Sequence, residues 1–187
     1  MKVFLFIVAL ALTSLSITSF TNNPIKDASL TCENLIENGD ASANGNDWSI
    51  GGDGARISFN KFYLTKYEKS TDGFTQFVEI DLINRGKDAT FSGWVKQQRA
   101  ISLGKPVLRA NFMNANGVTI KSTILKGSGE EWKLLSKRIT IPEEATKVQI
   151  RLKATSYNSS LIVTGNISNY YDNIAFTMCD ETLSRPE

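Results

Sequence analysis

The segment KVQIRLKA at positions 147–154 alternates apolar and polar side chains without a break. Val148, Ile150 and Leu152 fall on one face of an extended chain, because successive side chains of a strand point to opposite faces. Gln149 and Arg151 fall on the other face. This period of two predicts a β-strand with one face in a core and the other in solvent.

The same alternation recurs in short runs along the chain, separated by turns that are rich in Gly, Asn and Asp. The dipeptide Asn116-Gly117, between two such runs, predicts a hairpin turn. No long run has the period of a helix, so we expect an all-β fold, either an antiparallel β-sandwich or a barrel. Strands are predicted at 48–50, 56–59, 62–67, 74–82, 89–97, 107–114, 118–125, 132–141, 147–154 and 169–178.

The composition is that of an ordinary globular domain. The chain has 187 residues, of which 41% are hydrophobic and 21% are charged, with 21 Lys and Arg against 19 Asp and Glu. One domain accounts for this length. The balanced charge excludes a disordered tail, a coiled coil and a strongly basic binder of nucleic acid, so we expect no nucleic acid partner.

The chain contains no histidine and two cysteines. This excludes a Ser-His-Asp triad, a Cys-His pair, His-ligated zinc or iron, a zinc finger and an iron–sulfur cluster. Carboxylate chemistry, calcium binding or no catalysis remain. The acidic pairs Glu130-Glu131 and Glu143-Glu144 fall in turns and are interpreted as solvated charges rather than a glycosidase pair. We therefore expect a protein that is not an enzyme.

The N-terminus has the layout of a secretory signal. Lys2 precedes an apolar run, Val3 to Leu12, which is followed by small Ser and Thr residues. The apolar run is short for a membrane span, although an uncleaved signal anchor is the alternative. We predict a signal peptide at 1–20, a short flexible segment at 21–31, and a secreted, extracellular protein with no membrane span.

Secretion changes how the two cysteines are interpreted. Cys32 lies just before the first predicted ordered segment and Cys179 just after the last strand. In an oxidising compartment they are predicted to form a disulfide, which requires that the two ends of the fold lie side by side; two free cysteines are the alternative. We expect one domain at 32–179 and a flexible tail at 180–187. Asn158 and Asn166 begin glycosylation sequons, which matter if the host is a eukaryote.

Alternation also sorts polar side chains onto shared faces. Trp94 is a large ring among Ser92, Lys96 and other polar neighbours of the 89–97 run. If 89–97, 107–114 and 147–154 lie in one sheet, its outer face suits a sugar, which stacks on aromatic rings and bonds to polar side chains. The alternative is an ordinary solvated face. The predicted carbohydrate-binding residues are Trp94, Arg109, Asn111, Gln149 and Arg151.

Five blocks resemble, in order, secreted carbohydrate-binding modules with the galactose-binding-like jelly roll. The block NLIENGD at 34–40, followed by Trp48, is similar to the opening "NLIxNGDFE…W" of these modules. F-box-associated sugar-binding domains share the same jelly roll and a related opening. The later blocks are QFV at 76–78, ATFSGWVK at 89–96, EWK at 131–133 running to ITIP at 139–142, and YYDNIAF at 170–176.

The resemblance implies a jelly roll of two packed antiparallel sheets, with the first and last strands adjacent. It implies a lectin-like, non-catalytic protein whose partner is a glycan, a polysaccharide or an extracellular glycoprotein. The alternative is an extracellular structural or protein-interaction β-sandwich that binds no sugar. The resemblance also implies that Trp48 and Trp132 are core or sheet-edge residues, and we expect both to be buried. Tyr170 and Tyr171 point to opposite faces of a strand, so one of them should enter the core.

Many relatives hold a structural calcium ion beside the first and last strands. Asp40 and Asp172 stand at the corresponding places, with Glu33 and Asn38 nearby, so the resemblance implies a calcium site there. Ala41-Ser42 replaces the usual "FE", which removes one carboxylate. The alternative is that Asp40 caps a turn and Asp172 bonds to neighbouring backbone.

Overall fold

The computed structural model describes residues 31–65, 72–98, 104–155 and 168–180. The predicted signal peptide, nearly all of the 21–31 segment, both sequon asparagines and the tail after residue 180 lie outside the described residues. Within the described residues, no helix is long and apolar enough to cross a bilayer.

The described residues form eleven strands and one short 3-10 turn at Leu82–Asn84. In chain order the strands are β1 (Thr31–Asn34), β2 (Ser49–Gly51), β3 (Ala55–Ser58), β4 (Lys61–Leu64), β5 (Gly73–Glu79), β6 (Asp88–Gln97), β7 (Pro106–Met113), β8 (Thr119–Lys126), β9 (Lys133–Thr140), β10 (Lys147–Ala154) and β11 (Asn169–Asp180). One sheet has the order β3-β4-β11-β6-β9, with β1 also paired to β11; the other has the order β2-β5-β10-β7-β8.

The core lies between the six-stranded and the five-stranded sheet. Aromatic pairs cross the interface: Phe62 of β4 packs on Phe74 of β5 with ring centroids 5.1 Å apart. Phe112 of β7 faces Phe176 of β11 with centroids 6.0 Å apart. Tyr171 is fully buried, as the alternation of Tyr170 and Tyr171 predicts. All strand pairs are antiparallel, which confirms the predicted two-sheet antiparallel β-sandwich.

The predicted disulfide is confirmed. Cys32 and Cys179 are cross-strand partners in the β1–β11 pair and are bonded to each other, with Cα atoms 4.0 Å apart. The bond joins residues that are 147 positions apart in sequence. Because a cross-link of this length restricts the unfolded chain strongly, it contributes about 3–5 kcal/mol in the chain-entropy model.

The opening block is held by side chains from distant strands. The buried amide of Gln76 accepts from the Glu37 N–H and donates to the carbonyls of Glu37 and Asp47. The buried Trp48 indole donates to the carbonyls of Glu37 and Asn38. A side chain at Gly39 would overlap the Ile174 carbonyl, so this loop approaches β11 only with glycine there. Gln76, Trp48 and Gly39 therefore act together to fix the loop at 37–40 against the sandwich.

One predicted strand ends earlier than expected. The 74–82 alternation continues past Glu79 because Ile80 and Leu82 keep the spacing of the inward residues. The chain instead turns at Leu82–Asn84, where the Asn84 N–H donates to the Asp81 carbonyl. The reason is topological: β5 belongs to the five-stranded sheet and β6 to the other, so the chain must leave the first sheet here.

Candidate functional site

The sandwich divides the predicted sugar site between its two sides. Strand β6, which carries Trp94 and Lys96, belongs to the six-stranded sheet, whereas β7 and β10 belong to the five-stranded sheet. The expectation that these three strands share one sheet is wrong. Alternation identifies which side chains face outward, but it carries no information on which sheet a strand joins. Trp94 therefore lies on the opposite outer surface from the other four predicted residues.

Those four residues do come together. We call the surface formed by Arg109, Asn111, Gln149 and Arg151 the polar face; it is the centre of the outer surface of the five-stranded sheet. Strands β7 and β10 are antiparallel neighbours in that sheet, with Asn111 opposite Gln149 and Arg109 opposite Arg151. Side chains directly opposite each other on one face of a sheet are close enough to interact.

Hydrogen bonds link the polar face into a row. Arg109 Nε donates to Asn111 Oδ1 at 2.8 Å, and Asn111 Nδ2 donates to Gln149 Oε1 at 3.0 Å. Ser122 Oγ, on the adjacent β8, donates to Asn111 Oδ1 at 2.8 Å. Asn111 is only 6% exposed, and its side chain links the more accessible side chains of Arg109 and Gln149 by hydrogen bonds. Side-chain orientation on this face is therefore set before a ligand arrives.

Two exposed apolar side chains border the polar face and were missed by the sequence reasoning. Phe77 lies opposite Gln149 and is 53% exposed, and Ile124 lies opposite Arg109 and is 45% exposed. The sequence does contain a signal for Phe77. In the alternating strand pattern Phe74 and Gln76 point inward, so Phe77 must point outward. An aromatic ring at an outward position of a strand is the same signal that identified Trp94.

The outer surface of the six-stranded sheet is richer in aromatic rings. We call the surface formed by Tyr63, Trp94, Trp132 and Tyr170 the aromatic face. Tyr170 packs edge-on against Tyr63 and Trp132, with centroids 4.9 and 6.4 Å apart. Trp94 is 38% exposed and stands between Asp172 and Leu134 on neighbouring strands.

Trp132 is less buried than expected, although its place beside the edge strand β9 fits a sheet-edge position. It is only partly buried, because it lies just before the edge strand β9 and its ring turns to the outer surface, where Tyr170 covers part of it. Charged groups lie beside these rings. Lys61 Nζ is 5.6 Å from the Trp132 centroid and 2.8 Å from Asp172 Oδ2, and the Arg56 guanidinium is 5.7 Å from the Tyr63 centroid. Such distances are typical of cation–π contacts.

The two carboxylates predicted to bind calcium have separate partners. Asp40 Oδ1 accepts from the Ser42 N–H at 3.1 Å, and hydrogen bonds from the Ser42 backbone and hydroxyl lower the pKa of Asp40. Asp172 pairs with Lys61 and accepts from the Asn173 N–H at 2.9 Å. Asp40 lines a cavity of about 590 Å³ with Asp47, Asn38 and Asn173, and Asp172 does not line it.

As a pair, Asp40 and Asp172 therefore do not fit one calcium ion, since an ammonium group already neutralises Asp172. Among the described residues, no three acidic, His or Cys side chains are grouped to hold a metal. Calcium binding stays a prediction.

Comparison with known proteins gives structural matches only. No family model matches the chain, and no curated protein sequence matches it. A solved family 16 carbohydrate-binding module superposes with a TM-score of 0.56 and 19% identity, covering 76% of this chain and 99% of the module. The CBM22-1 xylan-binding domain of Paenibacillus barcinonensis Xyn10C superposes with a TM-score of 0.56 and 11% sequence identity. The match covers 81% of this chain and 97% of that domain.

A third match is to part of a larger protein. The enzymatically active domain of tailspike protein 4 of bacteriophage CBA120 gives a TM-score of 0.56 with 15% identity. It covers 79% of this chain, and the chain spans 21% of that protein's length. At such low identities the matches establish the fold: this chain has the β-sandwich architecture of solved carbohydrate-binding modules.

Proposed function

We propose that the chain is a non-catalytic glycan-binding domain whose binding surface is the polar face. The observation that carries the proposal is the hydrogen-bonded row from Arg109 through Asn111 to Gln149, bordered by the exposed Phe77 ring. Similarity in fold to a xylan-binding domain and to another carbohydrate-binding module supports it. Fold similarity alone does not assign function, whereas the side chains of this surface offer specific ligand contacts.

The chemistry of the row matches a polyhydroxylated ligand. Sugar hydroxyls donate and accept hydrogen bonds, and an amide side chain offers both. The bond to Asn111 uses one of the five N–H donors of the Arg109 guanidinium. Phe77 supplies an apolar surface beside these donors, against which the C–H face of a sugar ring packs.

The charge of the polar face points to the class of glycan. Arg109 and Arg151 are cross-strand partners on the polar face, and Ile124, the other cross-strand neighbour of Arg109, carries no charge. Guanidinium groups bind carboxylates through paired hydrogen bonds. The polar face therefore favours a glycan that carries carboxylates, such as one containing uronic acids, over a neutral one.

The test is binding to an array of neutral and acidic glycans by the protein and by matched variants. Arg109→Ala and Phe77→Ala should each weaken binding about tenfold or more, because they remove a charged donor and the stacking ring. Arg138→Ala and Phe59→Ala are controls, since both side chains are exposed and lie outside the polar face. Equal binding by Arg109→Ala and Arg138→Ala contradicts the assignment of the polar face.

We expect binding without turnover. Glu130, Glu131, Glu143 and Glu144 are exposed side chains, as the sequence predicts. Release of reducing ends from any bound polysaccharide would overturn the non-catalytic assignment. Secretion and glycosylation belong to the same proposal and are tested by mass spectrometry of the protein recovered from the medium of a native host.

One observation favours a second candidate function, contact with another protein. Leu82 and Ile83 are adjacent, exposed apolar residues on the 3-10 turn between β5 and β6. Exposed apolar pairs of this kind occur at protein interfaces. If a glycoprotein partner still binds after enzymatic deglycosylation, and the Leu82→Ser, Ile83→Ser variant does not bind it, the protein-interaction function is favoured.

A further inference from the structure

We propose that the aromatic face is a second, separate ligand site, which binds a neutral glycan. It lies on the opposite outer surface of the sandwich from the polar face and shares no residue with it. The inference goes beyond the proposed function, because it concerns different residues and a different charge class of ligand.

A cavity beside the aromatic face has the dimensions of a ligand site. Its volume is about 480 Å³, within the range of roughly 300–1,000 Å³ that is usual for such sites. Three aromatic side chains form its apolar walls, and polar and charged groups complete it. The lining residues are Lys61, Tyr63, Lys96, Gln98, Glu130, Glu131, Trp132 and Tyr170.

The charges around this cavity select against strongly charged ligands. Lys61 and Lys96 are cationic, whereas Glu130 and Glu131 are anionic, and Asp172 already neutralises Lys61. A polyanion would meet the carboxylates and a polycation would meet the ammonium groups. A neutral ligand with many hydroxyls satisfies both, because each hydroxyl donates and accepts a hydrogen bond.

The rings pack edge-on rather than face to face. Tyr170 meets both Tyr63 and Trp132 at interplanar angles of 69° and 65°, so the three rings present surfaces in different directions. Trp94 lies two residues before Lys96 on the same face of β6, about 7 Å along the strand. With the exposed Leu134 beside it, Trp94 extends the apolar surface beyond the cavity toward the middle of the sheet.

The site is held in place before a ligand binds. Lys61 is fixed by its ion pair with Asp172 and by its position over the Trp132 ring. Tyr170 is fixed by contacts with rings on both sides. Side chains that are already ordered lose little conformational entropy on binding, which favours affinity.

Two sites on opposite surfaces have a consequence for the whole molecule. A single domain would bridge two glycan chains, or two segments of one chain, and gain avidity on a repeated ligand. A polar face that takes acidic segments and an aromatic face that takes neutral ones would select a polysaccharide of mixed composition.

Signals from individual side chains can separate the two sites in one titration. The chain has three tryptophans, and isotope labelling makes each indole N–H visible by NMR. Trp94 and Trp132 report the aromatic face, and the side-chain amides of Asn111 and Gln149 report the polar face. Trp48 is an internal control, because its indole is buried and bonded to backbone carbonyls.

The probes are xylohexaose and cellohexaose, each added to about 5 mM, where a site with a dissociation constant near 1 mM is mostly filled. We expect the Trp132 and Trp94 indole signals to shift while the Trp48 signal does not. If neither probe moves the Trp132 signal, the second site is overturned, whatever the polar face does. Shifts confined to Asn111 and Gln149 retain the proposed function and reject this inference.

Variants give a second readout. Trp132→Ala should weaken the binding seen at Trp94 about tenfold or more, and Trp132→Phe, which keeps an aromatic face, should weaken it less. Lys96→Ala tests the cavity without removing a ring and should weaken binding several-fold. An unchanged Trp48 signal shows that each variant is folded. Equal affinity in Trp132→Ala and the unaltered protein overturns the proposal.

Discussion

The two outer surfaces of this sandwich arise from the same sequence pattern and differ in chemistry. The polar face is a row of hydrogen-bonded side chains around the nearly buried Asn111, with Arg109 and Arg151 as cross-strand partners. The aromatic face combines four rings with ion-paired charges of both signs. Alternation sends side chains outward on both sheets, but the neighbouring strands decide whether the result is a row of donors or an array of rings.

The largest effect we expect comes from the disulfide, which belongs to the sheet of the aromatic face. Replacing both Cys32 and Cys179 with Ser should lower the free energy of unfolding by about 3–5 kcal/mol, because the unfolded chain loses its cross-link. Urea denaturation of the variant and of the unaltered protein measures this difference in unfolding free energy.

The disulfide should not distinguish the two faces. Since β1 pairs only with residues 177–180 of β11, away from Tyr170 and Asp172, and the cross-link acts on the unfolded chain, the folded variant should bind ligand at both faces as the unaltered protein does. If replacing both cysteines lowers the free energy of unfolding by less than about 1 kcal/mol, the chain-entropy account of the disulfide is contradicted.

Asn111→Ala should break the polar face and leave the aromatic face intact. Removing this side chain leaves Arg109 Nε, Gln149 Oε1 and Ser122 Oγ without the partner they now have. We expect a cost of about 1–3 kcal/mol in unfolding free energy and loss of binding by acidic glycans. Asn116→Ala, in the exposed β7–β8 turn, is the control. Unchanged glycan binding in Asn111→Ala would show that the row has no role in recognition.

Lys61→Met tests the aromatic face with the polar face as its reference. The substitution removes the ion pair with Asp172 and the charge over Trp132. The pair is partly exposed, so the stability cost should be about 1 kcal/mol or less. The Trp132 indole signal should shift, and the Asn111 and Gln149 amide signals should not. Lys126→Met on β8 serves as a control, and a Trp132 signal that stays in place contradicts the contact.

The smallest effect is a difference in pH dependence between the two sheets. Asp88 on β6 accepts hydrogen bonds from the Thr140 hydroxyl and from Arg138 on β9, and these lower its pKa from the ordinary value of 3.8. Its folded pKa lies below its unfolded pKa, so its stabilising contribution is complete above the unfolded value. That contribution is lost as the pH falls through the folded value.

Asp88→Asn should therefore be less stable than the unaltered protein at neutral pH, and the difference should shrink below about pH 4. The hydrogen-bonded row of the polar face contains no carboxylate, so the Asn111→Ala difference should persist at low pH. Chemical denaturation at a series of pH values measures both. A difference for Asp88→Asn that grows toward low pH contradicts the sign of this argument.

Local pattern predicted most of the fold. The 147–154 run is strand β10 with the predicted bounds, and the Asn116-Gly117 turn joins β7 to β8, with Gly117 at a positive φ of 75°. The adjacency of the chain ends followed from Cys32 and Cys179 in an oxidising compartment. These predictions succeed because alternation, turn conformation and disulfide chemistry depend on residue type and local spacing.

The candidate site was predicted only in part. Arg109, Asn111, Gln149 and Arg151 do share one surface, but Trp94 belongs to the other sheet. The sequence also predicted Asp40 and Asp172 as calcium ligands; in the structure Asp172 pairs with Lys61, and Asp40 lines a cavity that Asp172 does not line. The error for Trp94 concerns which distant strands become neighbours.

The sequence by itself therefore determined the class of fold, the outward position of each candidate residue and the cysteine pairing. Only the tertiary structure decided that two outward faces exist, one polar and one aromatic, and which residues belong to each. The physical reason is that an extended backbone fixes side-chain direction residue by residue. Sheet membership depends on hydrogen bonds between strands far apart in sequence, and on where the chain crosses from one sheet to the other.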